Sequence, residues 1–484
     1  MTSPRPADRR AKVDLVLPSP GSDGADPPST PGESTDVAGV IAAHVPDGSA
    51  RGIAAAISRL ASSGELAEGT RLPTVRGLAD RLGTSPTTVG DAWQQLRRLG
   101  VIEGRGRAGT FVTGLVRRPG PRRYRRLGAA AGSFRLDLST GTPDVALLPD
   151  LRDALARLDR TSLTSSYLDQ PVLPELEEAV RARLPFEAEA VTVVDGALDA
   201  IDRLATARIR LGDRVLVENP AFPPLLDLLD LLGADIVALD LDAEGIVPGS
   251  LADGLAVGPT ALFLQPRAHN PTGISMSPAR ARALAELIEG TDVLVIEDDH
   301  SGDICTAPDV SLGSWLPDRT AHVTSFSKSY GPDLRLASVA GPSTVIQPLV
   351  DRRMLGPGWS SRLLQAVLVR LLTDPGTARV IDVARATYAE RREAVCAALR
   401  AHGVRVSGDD GLNVWIETPD EQATLIALAS HGIAVAPGTP FMWAPEPRDH
   451  IRVTVGLVAD DHAGLAETIA RAVGTETPRH GTRR

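Results

Sequence analysis

The chain has 484 residues, a formal net charge of −10, 43% hydrophobic and 23% charged residues, which suits a globular protein of two to four domains. Two cysteines, Cys305 and Cys396, exclude a disulfide scaffold and a cysteine-rich metal site, and no metal is expected. Residues 1–19 lack the apolar core of a signal peptide, and the charge-free stretch 424–445 is broken by Pro437, Pro440 and Pro445. No membrane span is expected, and the cytoplasm is the expected location.

Of the 51 basic side chains only two are lysine, Lys12 and Lys328. A guanidinium stays protonated and cannot act as an amine nucleophile, so a lysine retained here is a candidate for amine chemistry. Codon bias with two chance survivors explains the composition equally well, and context must decide. Charge is also uneven along the chain. Residues 45–135 hold 16 arginines against six acidic residues, a net of +10 inside an acidic protein. Such a block points to a separate module facing a polyanion.

Residues 1–36, rich in Pro, Ser, Gly and Asp, read as a disordered tail. Ile53, Ala56, Ile57 and Leu60 then recur at helical spacing, and Gly64 ends that helix. A second helix is predicted over Val75–Leu82 with Thr74 as its cap. A third starts at Pro86 behind Ser85, with Val89, Ala92, Trp93 and Leu96 as its buried stripe. Two short strands flank the glycine-rich tip Gly104–Gly109, which carries Arg105 and Arg107. This order is that of a winged helix-turn-helix, predicted over residues 45–113. Its third helix would enter the major groove and its wing would touch the backbone or minor groove. The DNA-facing candidates are Thr74, Arg76, Ser85, Thr87 and Thr88, with Arg105 and Arg107 on the wing. A winged helix used for protein contact is the plainer alternative.

The segments Leu72-Pro73-Thr74-Val75-Arg76-Gly77-Leu78-Ala79, Leu82-Gly83-Thr84-Ser85-Pro86-Thr87-Thr88-Val89 and Gly109-Thr110-Phe111-Val112 resemble the GntR-type winged-helix family. Pro86 stands where many members carry a DNA-contacting arginine, which shifts expected base readout toward Thr87 and Thr88. Residues 114–135, with Arg117, Arg118, Arg122, Arg123, Arg125 and Arg126, read as a basic interdomain linker whose arginines would add phosphate contacts.

From Leu136 onward apolar runs alternate with helical stretches such as Leu198–Ala207 and Pro278–Glu289. The pattern predicts an α/β domain with a mainly parallel sheet over 136–475, then a flexible tail over 476–484. Such sheets bind ligands at the carboxyl ends of their strands. Lys328 follows one strand in Ser325-Phe326-Ser327-Lys328, with Arg335 seven residues on. Asp298 ends another, Asn270 lies in Asn270-Pro271-Thr272-Gly273, and Gly196-Ala197 opens a helix after a strand. An amine can form a Schiff base, a carboxylate can hold a pyridine nitrogen protonated, and free helix amides attract phosphate. Each alone has a plain reading as a turn or a cap.

In this order the residues resemble fold-type I, pyridoxal-phosphate-dependent aminotransferases, from Leu138 to Val453, with a smaller C-terminal α+β subdomain. The resemblance implies that Lys328 forms the Schiff base with pyridoxal 5′-phosphate and that Asp298 pairs with its pyridine nitrogen. Asn270 would contact the ring oxygen and Phe222 would stack on the ring. Gly196, Ala197, Ser325, Ser327 and Arg335 would bind phosphate, joined by Tyr167 across a dimer interface. Arg452 would grip the carboxylate of an amino-acid ligand. Four departures stand out. His300 replaces the usual tyrosine, Asp195 replaces a hydroxyl, Leu198 replaces a glutamine, and residues 169–174 lack a glycine. They bear on turnover more than on cofactor capture, and His300 would retune proton binding at the Schiff base.

Fusion of the two halves resembles the MocR family of transcriptional regulators. It implies a homodimer on double-stranded operator DNA that senses pyridoxal phosphate or an amino-acid-like amine, without net turnover. An active aminotransferase carrying a DNA-binding module is the main alternative, and a cofactor-free scaffold is the third.

Overall fold

The computed structural model describes residues 36–98, 100–113, 121–127, 134–158, 166 and 169–474. The expected tails beyond Asp36 and Gly474, and Tyr167, lie outside these.

The N-terminal domain opens with α1 (Val37–His44), α2 (Ala50–Ser63), α3 (Val75–Leu82) and α4 (Pro86–Arg98), followed by a hairpin of β1 (Ile102–Gly104) and β2 (Thr110–Val112). Its helix ends are written in local chemistry. Thr74 Oγ1 accepts from the Gly77 amide at 3.1 Å, Ser85 Oγ accepts from Thr88 at 3.1 Å, and Gly64 and Gly83 leave their helices in the left-handed region. One core unites Ile53, Ile57, Leu78, Val89, Trp93 and Leu96 with Ile41 of α1. Helix α1 lies just before the expected winged-helix boundary. Its composition is apolar throughout, so no stripe marks it, and only contact with this core explains it.

The segment between the domains contains α5 (Arg122–Leu127), and β3 (Leu136–Leu138) follows. Next come α6 (Arg152–Ala156), α7 (Pro174–Arg181), β4 (Ala190–Val194), α8 (Ala197–Arg208), β5 (Arg214–Asn219) and α9 (Pro223–Leu232). Then follow β6 (Asp235–Asp242), β7 (Gly245–Ile246), α10 (Pro248–Leu255), β8 (Ala261–Leu264), α11 (Pro278–Ile288) and β9 (Leu294–Asp299). The domain continues with β10 (Thr320–Ser325), α12 (Ser327–Tyr330), β11 (Ala337–Gly341) and α13 (Ser343–Met354). An eight-stranded sheet runs in the order β4-β11-β10-β9-β8-β5-β6-β7. Pairs β10–β9, β9–β8, β8–β5 and β5–β6 are parallel, while β11 and β7 run against their neighbours. Helical layers cover both faces: Ile201, Leu204, Leu226 and Leu229 pack on one, and Leu251, Leu284 and Ile288 on the other.

Two long helices, α14 (Arg362–Thr373) and α15 (Pro375–Ala401), lead to the smaller subdomain. It is built from β12 (Val406–Ser407), β13 (Val414–Thr418), α16 (Glu421–Ser430), β14 (Ile433–Pro437), β15 (Asp449–Val453) and α17 (His462–Val473). Its sheet, ordered β12-β13-β15-β14-β3, takes the early strand β3 in parallel against β14, so the chain just after α5 is woven into the subdomain that holds Arg452. The winged helix touches the large domain through an Arg51–Asp213 ion pair at 2.8 Å and through Leu211, which packs on its core. Among the described residues no helix is long and apolar enough to cross a membrane.

Candidate functional site

Side chains alternate along a strand, so Asp298 shares the face of β9 with Leu294 and Ile296, while Asp299 points to the other face and pairs with Arg267. Buried at the strand end, Asp298 accepts a hydrogen bond from Gln265 Nε2 on Oδ2 at 2.8 Å. Its Oδ1 is buried with no partner. Burial raises its pKa to about 6, opposed by the Gln265 hydrogen bond. A buried carboxylate with one orphaned oxygen is a socket for a cationic N–H.

Lys328 leaves the first turn of α12, directly after β10. Burial, reinforced by the Arg452 charge and opposed by Asp298, lowers its amine to about 8. The amine donates to the Gly141 carbonyl, and the Arg452 guanidinium donates to the neighbouring Ser139 carbonyl. The turn after β3 thus holds both cations. Arg452 on β15 is 1% exposed, also donates to Asn270 Oδ1 at 3.1 Å and lies 5.1 Å above the Phe441 ring. Its Nε is buried without a partner, and burial depresses the guanidinium to about 10. Asn270 is tied in by its amide, which donates to Gln265 Oε1 at 2.8 Å.

Gln265 therefore bridges Asp298 and Asn270 with its two amide atoms, a role that sequence reasoning missed. The available signal was its place at the carboxyl end of a strand, the logic that picked out Asp298. Behind it, Glu218 accepts from the Gln265 amide at 2.8 Å and lies 3.5 Å from His269. Burial raises the Glu218 carboxyl and lowers His269 to about 3, so desolvation works against an ionic pair here. His300 is neutral, lowered to about 4 by burial and then by Lys328, and its Nε2 lies 3.0 Å from the Ala268 carbonyl.

The phosphate-type cradle is assembled at the start of α8. Gly196 has φ 107°, a backbone conformation that residues with a side chain rarely adopt, and the Arg335 guanidinium lies beside the Gly196–Ala197 amides. Arg335, itself at φ 48°, is exposed and donates to the Asp195 carbonyl at 3.1 Å. Ser325 is buried and its hydroxyl accepts from the Ser327 amide at 3.4 Å. Phe222 caps the start of α9. Asp195, expected to repel an anion here, is paired with Arg353 of α13, which also holds Asp199.

On the winged helix Thr74, Arg76, Ser85 and Thr87 are exposed and Thr88 is partly so. Arg105 is exposed, paired with Glu103 at 2.6 Å and stacked 4.8 Å over Phe111; the Arg107 side chain lies outside the described set.

The family described as aminotransferase class I and II matches residues 135–469, and that described as bacterial regulatory proteins, gntR family, matches residues 49–112. The chain belongs to the MocR-type regulators. A relative, the vitamin B6 salvage pathway transcriptional repressor PtsJ of Salmonella typhimurium, is 35% identical over 85% of this chain and 95% of its own. The pyridoxine biosynthesis transcriptional regulator PdxR of Corynebacterium glutamicum is 27% identical over 70% of this chain and 76% of its own. Among solved structures, the α-aminoadipate aminotransferase LysN of Thermus thermophilus, complexed with N-(5′-phosphopyridoxyl)-L-leucine, superposes with a TM-score of 0.66. It is 22% identical over 73% of this chain and 94% of its own. That likeness shows a fold-type I aminotransferase fold, and the gntR match gives this MocR-type chain a DNA-binding domain.

Proposed function

We propose that this MocR-type protein is a pyridoxal 5′-phosphate-dependent regulator that senses the cofactor itself, or an amino-acid-like ligand bound with it, around Lys328. The observation that carries this reading is the orphaned, buried Oδ1 of Asp298 within electrostatic reach of the Lys328 amine. A pyridine N–H is the partner that oxygen lacks. When bound, the cofactor supplies an aldehyde that joins reversibly to amines and a ring that withdraws electrons.

The chain's own residues divide the work. Asp298 would keep the ring nitrogen protonated, held in line by Gln265. Asn270 would donate to the ring oxygen and Phe222 would cover the ring face. Gly196, Ala197, Ser325, Ser327 and Arg335 would hold the phosphate, with Tyr167 reaching it across a homodimer interface. Arg452 would clasp a ligand carboxylate through two nitrogens. With its pKa near 8, Lys328 is about one-tenth neutral at pH 7, hundreds of times more than a free lysine. The winged helix would contact operator DNA with Thr74, Arg76, Ser85, Thr87, Thr88, Arg105 and Arg107.

The roles of these relatives in vitamin B6 salvage and pyridoxine biosynthesis support genes of vitamin B6 supply as targets. Footprinting of the DNA upstream of its own gene, with and without pyridoxal phosphate and a panel of amino acids, tests the reading. A footprint altered by either ligand supports it, and one indifferent to all of them overturns it. The complete Lys328, Asp298 and Arg452 set also favours a second reading, an aminotransferase with a DNA-binding module. Steady keto-acid formation from amino donor and keto-acid acceptor would establish that one.

A further inference from the structure

Helix α5, in the segment that tethers the winged helix, is seated on the elements of the pocket. Its first amides are capped from another element. Arg123 N donates to both carboxylate oxygens of Asp227 on α9 at 3.2 and 3.0 Å, and Tyr124 N donates to Oδ2 at 3.0 Å. The Arg123 guanidinium adds contacts to Asp227 at 3.3 Å and to Asp230, and lies 5.3 Å from the centre of the Trp443 ring. Asp227 is only 8% exposed, and among the described residues the hydrogen bonds it accepts come from α5. Undocking would leave a buried carboxylate to find other partners. At the far end of α5, Leu127 is buried with Trp415, Ala436 and Phe441.

That seat is shared with the ligand-facing groups. Helix α9 begins directly after Phe222. Phe441 lies under the Arg452 guanidinium, and its carbonyl accepts from the Ala221 amide at 2.8 Å. Asn219 Oδ1 holds the Trp443 and Ala444 amides at 2.9 and 3.2 Å. Tyr124, one turn before Leu127 and on the same face, remains half exposed.

We propose that α5 is a wall of the effector pocket, with Tyr124 as a ligand-contacting residue beside Arg452, and that its docking on Asp227 carries occupancy to the winged helix. The ligand class is an α-amino acid joined to the phosphopyridine, its carboxylate on Arg452 and its side chain against the phenol. The proposal rests on the pyridoxal-phosphate reading and adds the route by which a ligand shifts DNA binding. A ligand that favours the docked helix shifts that equilibrium, and one with no preference shifts nothing.

The test uses cofactor-stripped full-length protein titrated with pyridoxal phosphate and with N-(5′-phosphopyridoxyl)-L-leucine, which carries ring, phosphate and carboxylate in one stable molecule. Affinity for the DNA upstream of the gene is measured with each bound. Tyr124→Ala should weaken the conjugate about fivefold more than it weakens pyridoxal phosphate. Asp227→Asn, and independently Arg123→Gln, should weaken the conjugate relative to pyridoxal phosphate about as much as Tyr124→Ala does, since both release the helix that carries Tyr124, and should also lose its effect on DNA affinity. A Tyr124→Ala protein that binds both ligands with wild-type affinities, or latch variants that keep the full DNA response, overturns the proposal. A wild-type protein whose DNA affinity ignores the bound conjugate also overturns it. If the wild type binds neither ligand, the cofactor reading itself fails and takes this inference with it.

Discussion

Arg353, 2% exposed, donates to Asp195 Oδ2 at 3.3 Å and to Asp199 Oδ2 at 3.0 Å, so the acidic residue beside the phosphate cradle is neutralised from below. The carboxylate that replaces the family's usual hydroxyl therefore arrives with its own counter-ion. Arg353→Gln is expected to release that charge against the phosphate and weaken pyridoxal phosphate by roughly tenfold or more, besides destabilising the fold by about 2–4 kcal/mol. Adding Asp195→Ser should recover most of the lost affinity. Absorbance titrations of the two variants check this; a double variant no better than Arg353→Gln alone would remove Asp195 from the account.

Lys328→Arg keeps a cation in the pocket but offers no nucleophilic amine. The variant should melt within a few degrees of wild type, should retain non-covalent affinity for the phosphate ester, and should show no lysine-bound visible band. Among the described residues Lys328 is the only lysine. A band that survives the substitution would displace Lys328 from its role.

The pH dependence of the cofactor-free protein follows from Asp298. Its pKa is about 6 when folded against 3.8 ordinarily, so the folded carboxyl holds its proton more tightly than the unfolded one. Stability contributed by this group is complete below pH 3.8 and is lost as pH rises through about 6. Asp298→Asn removes that loss. Its cofactor-free form should melt a few degrees above wild type at pH 7–8, with the gap closing toward pH 4, while its affinity for pyridoxal phosphate falls at least about tenfold. Melting curves at several pH values decide it, and a gap that is flat from pH 4 to 8 contradicts the assignment.

On the wing, Glu103 pairs with Arg105 and would compete with DNA phosphate for it. Glu103→Gln should raise affinity for non-specific DNA about two- to fivefold at low salt, and Arg105→Ala should lower it and reduce the salt slope by about 1. Fluorescence anisotropy across a salt series reads both. Identical slopes for wild type and Arg105→Ala would place Arg105 away from the backbone.

What could be read in advance was local chemistry. Thr74, Ser85, Gly64 and Gly83 mark helix ends through contacts a few residues away, and apolar runs mark strands, so the winged helix and the sheet were legible. So was the placement of Asp298 and Lys328 at strand ends. Arg353 was not, since it reaches Asp195 across 158 positions of sequence. Gln265 carries no charge to attract attention, and its value lies in joining two residues that the fold brings together. Helix α5 reads as a run of arginines because its cap, Asp227, is supplied 104 positions later.

A six-residue helix cannot persist alone in water, so docking and helix formation in α5 are one event. Docked, those residues span about 9 Å; released and extended, they reach about 20 Å. Each winged helix would then gain roughly 10 Å of reach, about three base pairs of DNA per protomer. The spacing between operator half-sites that the proposed homodimer could bridge would thereby become a ruler for the state of its pocket.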